Sequence, residues 1–202
     1  MAGHLLPWRY PETPAGRVRV FRPVSFCISF RGVMRPTTER IDRRYSDETA
    51  EAVAWTDAQA RLADAQVAWI VTVRADARPH ATPMVPLVHD GKIYFHTGSN
   101  EVKYANLLAN PHVLVLTGDT DWDRGLDVSV EGIAAPVTDG GVVRRLAELY
   151  AKRWDGRWQL DVQDGALVPR VPGVQLGFFE VTVQTARGHA KSEPTSQTTY
   201  RF

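Results

Sequence analysis

Between Val67 and Thr117 four strand-like runs follow one another with a single helical run inserted, and few folds accept that order. Ala68–Val73 alternates Trp69, Val71 and Val73 against Ala68, Ile70 and Thr72, the period-two pattern of a half-buried strand. His80–Val88, Lys92–Thr97 and His112–Thr117 are the other three runs. Ala75–Arg78 is a short polar connection between the first and second. His89-Asp90-Gly91 joins the second to the third. Asp-Gly between strand runs is a strong hairpin signal, because the favoured two-residue turn needs positive φ at both positions. The pattern predicts an antiparallel meander, one wall of a small barrel of about six strands.

The third run meets the helix at a chemically promising place. Gly98-Ser99 turns the chain, and Ser99 is a good N-cap for a helix over Asn100–Ala109. That helix stops before Asn110-Pro111, because proline disfavours helix in the residue ahead of it. A helix start offers unpaired N–H groups and the positive end of the dipole. With Thr97, Ser99 and Lys103 beside it, this start suits a phosphate; a capped amphipathic helix with a solvated lysine fits the spacing as well. The second run carries Pro83 and Pro86, which cannot donate to a ladder and so belong on an edge or at a bulge. The N–H groups of Thr82, Met84 and Val85 are then candidates to face a ligand, the alternative being an edge merely guarded against aggregation.

Elsewhere the signals are structural. Ser46 predicts a short helix over Glu48–Ala54, and the capping box Thr56-x-x-Gln59 opens another over Asp57–Ala65 that plugs one barrel end with Ala58 and Leu62. Thr117–Gly125 is a polar loop whose Trp122 either covers a bound ring or packs beneath its own loop. Asp127–Val137 reads as a strand, and Thr138 caps a helix over Val142–Trp154 with a buried stripe of Val143, Leu146, Leu149 and Tyr150. Leu176–Thr185 is the last clear strand, and Arg187–Ser196 reads as a loop.

Composition narrows the function classes. A chain of 202 residues that is 44% hydrophobic can bury one real core. A net charge of +1 points away from nucleic acid. The one cysteine, Cys27, permits neither an internal disulfide nor a cysteine-based metal cluster, and the six histidines form no i, i+4 pair that would hold zinc. His96, beside Thr97, is as compatible with a cofactor contact as with a barrel-wall role. No apolar run of about eighteen residues is present, so a cytoplasmic protein without membrane spans is the simplest expectation. Residues 1–33 carry five arginines and four prolines against the single acid Glu12, a composition that predicts a disordered or non-native N-terminal extension. Met34 follows directly and is the expected start of the domain over residues 34–202.

Taken in order, Arg78-Pro79-His80-x-Thr82-Pro83, Asp90-Gly91, Tyr94-Phe95-x-Thr97-Gly98, Lys103-x-x-Asn106-Leu107 and Asn110-Pro111-His112-Val113 resemble the pyridoxamine 5′-phosphate oxidase-related proteins. The similarity continues through Gly125–Gly132 and returns at Ser196–Phe202. It implies an α+β, mainly β fold, an antiparallel split barrel with a few peripheral helices. It implies FMN as cofactor, with the deazaflavin coenzyme F-420 as alternative. It also implies a homodimer with the cofactor at the interface, Lys103, Thr97 and the second strand coming from one subunit. Asp127–Ser129 or the C-terminal tail would come from the other. Arg201 matches a cofactor-binding arginine of the family.

The resemblance departs from the parent enzyme in two places. Val102 stands where the oxidases carry an arginine, and Gln197-Thr198-Thr199 replaces their Arg-x-His pair for the substrate phosphate. Vitamin B6 phosphate oxidation is therefore not implied. A flavin brings its own hydride chemistry, so no nucleophile or carboxylate pair is needed. Three readings follow: an FMN-dependent oxidoreductase of a small organic molecule, an F-420-dependent reductase on the same fold, and a non-catalytic flavin- or haem-binding protein.

Overall fold

In the computed structural model residues 34–154, 156 and 158–202 are described. The expectations for residues 1–33, Cys27 included, lie outside them. The elements in chain order are β1 (Thr38–Ile41), a 3-10 turn (Arg43–Tyr45), α1 (Trp55–Asp64), β2 (Ala68–Val73), β3 (Pro79–Met84), β4 (Leu87–His89) and β5 (Lys92–Gly98). There follow α2 (Val102–Ala109), β6 (His112–Thr117), β7 (Leu126–Pro136), α3 (Gly140–Arg153), β8 (Val162–Gln163), β9 (Ala166–Leu167), β10 (Leu176–Ala190) and β11 (Ser196–Arg201).

β10 organises the sheet. One of its sides pairs with β7 from Phe179 to Ala190. The other side is shared, by β5 over Leu176–Val181 and by β11 over Thr185–Ala190. The change of neighbour coincides with a bulge between Val183 and Thr185, where an unpaired residue bends the strand and raises its twist. The full order is β1-β11-β10-β7-β6-β2-β3, with β5 on β10 and β4 on β5, and the sheet does not close. This is the antiparallel, mainly β architecture with peripheral helices that the sequence predicts, built from more strands than expected.

The first four runs form two hairpins rather than one meander. β2 pairs with β3, β4 pairs with β5, and β6 returns to the far side of β2. The predicted run His80–Val88 breaks at Val85-Pro86, where proline has no N–H for a ladder. The Val85 carbonyl is taken instead by the Tyr150 hydroxyl at 2.8 Å, which also donates to the Tyr94 carbonyl at 3.2 Å. The turn behaves as the dipeptide predicts, with positive φ at Asp90 (47°) and Gly91 (76°).

Helix starts differ more. No helix covers Glu48–Ala54; the Arg43 guanidinium gathers the carbonyls of Asp47, Glu48 and Ala50 and holds that stretch irregular. α1 begins at Trp55, ahead of the capping box, and α3 is capped by Asp139 rather than Thr138. β10 runs on to Ala190 because β7 and β11 both pair with its second half, so the first four residues of the expected loop are strand. Two buried clusters result. One lies under α1 and α2 around Phe95, Phe179, Ile70 and Tyr200, and the other lies beneath α3 around Tyr150, Phe178 and Tyr94. Among the described residues no helix is long and apolar enough to cross a membrane.

Candidate cofactor site

Successive residues of a strand face opposite sides of the sheet, and β5 uses this to separate two environments. Phe95 and Thr97 face the first cluster. His96 faces the second, where its ring lies 5.4 Å from Tyr150, 5.3 Å from Trp158 and 6.1 Å from Phe178. Burial there pulls the imidazole down from 6.5 to about 4, so it is neutral at neutral pH. The packing role is the one the structure gives His96; it does not join the residues around Thr97.

Those residues form a cradle at the start of α2. Thr97 is wholly buried, and Lys103 is only 5% exposed despite its charge. The carboxylate of Glu101 spans the donors around it. Its Oε1 accepts from the Thr97 hydroxyl and from the Gly98 N–H, each at 3.1 Å, and its Oε2 accepts from the Lys103 ammonium. Burial works against the charge of Glu101, but the Lys103 ammonium, the Gly98 N–H and the Thr97 hydroxyl outweigh it and hold the carboxyl below its ordinary range. Three donors converging on two oxygens of one anion is an arrangement that suits a phosphate as well as a carboxylate. Lys103 is therefore neither solvated nor idle.

Ser99 does something other than predicted. The N-cap position of α2 is Glu101, with no side-chain cap, and the helix starts at Val102 rather than Asn100. The Ser99 hydroxyl accepts from the Gln175 N–H at 2.9 Å, and the Ser99 N–H donates to the Gln175 carbonyl at 2.8 Å. Ser99 thus ties the turn to the segment entering β10.

β3 is an outer strand of the sheet, paired with β2 alone. Its inward-facing row holds His80, Thr82 and Met84, while Pro83 is exposed. Met84 is buried in the first cluster, and Val85 packs against the second. His80 Nδ1 and Thr82 Oγ1 are shielded from solvent and have no hydrogen-bond partner. Buried polar atoms without partners are uncommon and point to a missing ligand or water. The His80 imidazole is held below its ordinary range by burial first, then by the charges of Arg74 and Lys103, which puts it in the electrostatic reach of the cradle. Asn106 on α2 donates to the Thr72 hydroxyl at 2.9 Å, and Thr72 donates to the His80 carbonyl at 3.3 Å. This chain of bonds fastens α2 to β2 and β3. Glu101, His80, Asn106 and Thr72 carry no motif of their own. Only the resemblance, which spans His80 and Asn106, hinted at two of them.

Asp127 and Arg201 are not brought to the cradle within one chain. Thr97 sits opposite Gly177 at the start of β10, Arg201 opposite Thr185, and Asp127 opposite His189 near its end. At roughly 3.3 Å per residue, Gly177 and His189 are about 40 Å apart along the strand. Asp127 accepts from the Asp119 N–H at 3.0 Å and pairs with Lys191 at 3.0 Å. Beside it an open groove of about 610 Å³ is lined by Tyr45, Trp122, His189 and Gln197 among others. Trp122 is 86% exposed, so it does not pack beneath its own loop. Thr198 is spent on structure, its hydroxyl accepting from the Val53 N–H at 2.9 Å. Among the described residues no group of three or more His, Cys, Asp or Glu side chains is placed to hold a metal.

Comparison with known proteins places this geometry in a family. No curated protein matches the chain. Among solved structures, a conserved hypothetical protein of Mycobacterium tuberculosis superposes with a TM-score of 0.57 at 20% identity, over 70% of this chain and 87% of its own. General Stress Protein 26 of Bacillus anthracis superposes at 0.52 and 22% identity, over 74% and 100%. A FAD-binding protein of Mesorhizobium loti does so at 0.50 and 16% identity, over 73% and 95%. These likenesses establish the fold. The sequence profile of the pyridoxamine 5′-phosphate oxidase family matches residues 55–190, which include β2 to β10 and the whole cradle. The chain belongs to the pyridoxamine 5′-phosphate oxidase family.

Proposed function

We propose that the protein is a flavoprotein that binds FMN and acts as an FMN-dependent oxidoreductase on a small organic substrate. The observation that carries this reading is the cradle: a buried lysine, a buried threonine hydroxyl and a backbone N–H all directed at one anion. Lys103, Thr97 and the Gly98 N–H would hold the phosphate. His80 Nδ1 and Thr82 Oγ1, which lack partners, would bond to the polar chain or the ring edge. The bound flavin supplies the hydride chemistry. The protein's part is to bind, orient and exclude water, and the neutral His80 adds no positive charge to the site at neutral pH. Family membership and the FAD-binding neighbour support a flavin.

We also read the active form as a two-fold homodimer. The outer face of β2 and β6 presents Trp69 opposite Leu116 and Val71 opposite Leu114, and Trp69 is 51% exposed. Asp127 and Arg201 would reach a cradle only from a second copy. The cytoplasm remains the proposed location. The test of the flavin reading is the absorption spectrum of the protein as purified and after separate addition of FMN, F-420 and haem. FMN is expected to bind and to become reducible by a nicotinamide donor. Perturbation by F-420 alone would move the protein to the deazaflavin class, and a haem spectrum would make it a binder of another kind.

A further inference from the structure

The cradle already holds an anion, and that anion is part of the chain. We propose that Glu101 is a built-in occupant of the phosphate seat, which has to swing out when a phosphate-bearing ligand enters, so that this one carboxylate sets how readily the seat loads. The proposal rests on the flavin reading only for the identity of the ligand; the seat itself is defined by Thr97, Gly98 and Lys103.

Three observations carry it. First, the carboxylate uses both oxygens as a phosphate would, one on Thr97 and Gly98 and the other on Lys103. A phosphate placed on those donors would collide with it. Second, the two partners are unequally exposed. The Lys103 side chain is 7% exposed and the Glu101 side chain 37%. Lys103 is fixed in the protein, while Glu101 lies at the solvent side and has somewhere to go. Third, Glu101 occupies the N-cap position without capping α2 through its side chain, and its backbone is extended at φ −97° and ψ 140°. Rotation of the side chain therefore removes no helix cap and needs no backbone change. A phosphate dianion replacing a monoanion on three donors recovers the bonds that Glu101 gives up.

The exchange has a consequence for selectivity. A ligand must offer enough charge and oxygen to displace Glu101, so a flavin with its phosphate enters and one without gains nothing from the seat. Glu101 thus acts on specificity through Lys103 and Thr97 rather than by touching the ring.

Titration of FMN, riboflavin and inorganic phosphate into the full chain and into Glu101→Ala and Glu101→Gln tests this. Flavin binding is read by fluorescence quenching, phosphate binding by the shift in thermal midpoint, and folding by circular dichroism. Both variants should bind FMN about tenfold or more tightly than the parent, equivalent to 1.4 kcal/mol. Riboflavin affinity should not change, and phosphate should raise the midpoint of the variants more than that of the parent. Glu101→Gln keeps the shape and loses the charge, so it serves if Glu101→Ala folds poorly. Folded variants whose responses to FMN and to phosphate match the parent's, or are weaker, overturn the proposal. If FMN binds no variant while phosphate still stabilises Glu101→Ala above the parent, the flavin reading falls and the displaceable carboxylate stands. If FMN binds parent and variants alike and Lys103→Ala loses it, the flavin reading stands and the displaceable carboxylate falls.

Discussion

His96 shows how one residue's burial becomes a property of the whole chain. Its ring is enclosed by Tyr150, Trp158 and Phe178. Burial, with a smaller push from Lys103 and a partly opposing pull from Glu101, lowers its pKa from 6.5 to about 4. In the unfolded chain the imidazole takes a proton below pH 6.5, whereas in the folded chain it stays neutral until about pH 4. Stability from this group is therefore complete above pH 6.5, is lost as pH falls, and reaches its floor near pH 4. The loss is up to roughly 3 kcal/mol. Urea unfolding at pH 7 and at pH 4.5 should show that His96→Gln loses distinctly less stability on acidification than the parent. Equal losses would mean that His96 titrates normally. The same residue scale separates what a reader of the sequence can find from what stays hidden. Lys103 and Thr97 are visible because a lysine one turn into a helix after a strand-end threonine is a local pattern. Glu101 is not, because a carboxylate that folds back onto its own strand end leaves no mark in spacing. The orphaned Nδ1 of His80 becomes meaningful only when β3 turns out to be an outer strand.

At the scale of elements, strands with one buried face were the legible ones. β2 and β6 have the bounds expected from alternation, Ala68–Val73 and His112–Thr117. Helix starts were less legible, since a residue able to cap can be engaged by a partner far along the chain. Ser99 would have capped α2, but Gln175 engages it first. The extension of β10 was hidden for the same reason, because the polar stretch after Thr185 is held as strand by β7 and β11 rather than by its own residues. That strand also supplies an element-scale prediction. Gly132 on β7 lies against β10 where the ladder shifts, and a Cβ there would meet the Thr182 carbonyl oxygen at 2.5 Å and Val181 Cγ1 at 2.7 Å. A backbone oxygen inside a paired strand cannot move aside cheaply. Gly132→Ala is expected to destabilise the fold by about 1–3 kcal/mol, read as a lower urea midpoint with an unchanged slope. An unchanged midpoint would show that the β7–β10 contact has room to give.

At the scale of the whole molecule, the unclosed sheet leaves strand edges unpaired among the described residues, the outer side of β3 one of them, and presents an apolar face carrying Trp69, Val71, Leu114 and Leu116. In the dimer proposed above, a second copy would cover the apolar face. Sedimentation should show a dimer for the parent and a shift toward monomer for Trp69→Asp, whose charge cannot be buried cheaply in an apolar interface. A parent chain that sediments as a monomer at every concentration would remove the dimer, and with it any part for Asp127 and Arg201 at the cradle. The central claim, that the cradle at the start of α2 seats a flavin phosphate, is tested most directly by titrating FMN and riboflavin into the parent and into Lys103→Ala, with the fold of each checked at the same time. Losing the lysine removes a charge-assisted bond worth about 1.5–3 kcal/mol and leaves Glu101 without its counter-ion, so the variant should also be less stable. FMN binding should weaken about ten- to a hundredfold while riboflavin binding stays the same. Equal FMN affinity in a folded Lys103→Ala chain would contradict the account and leave the ion pair of Lys103 and Glu101 as a purely structural feature.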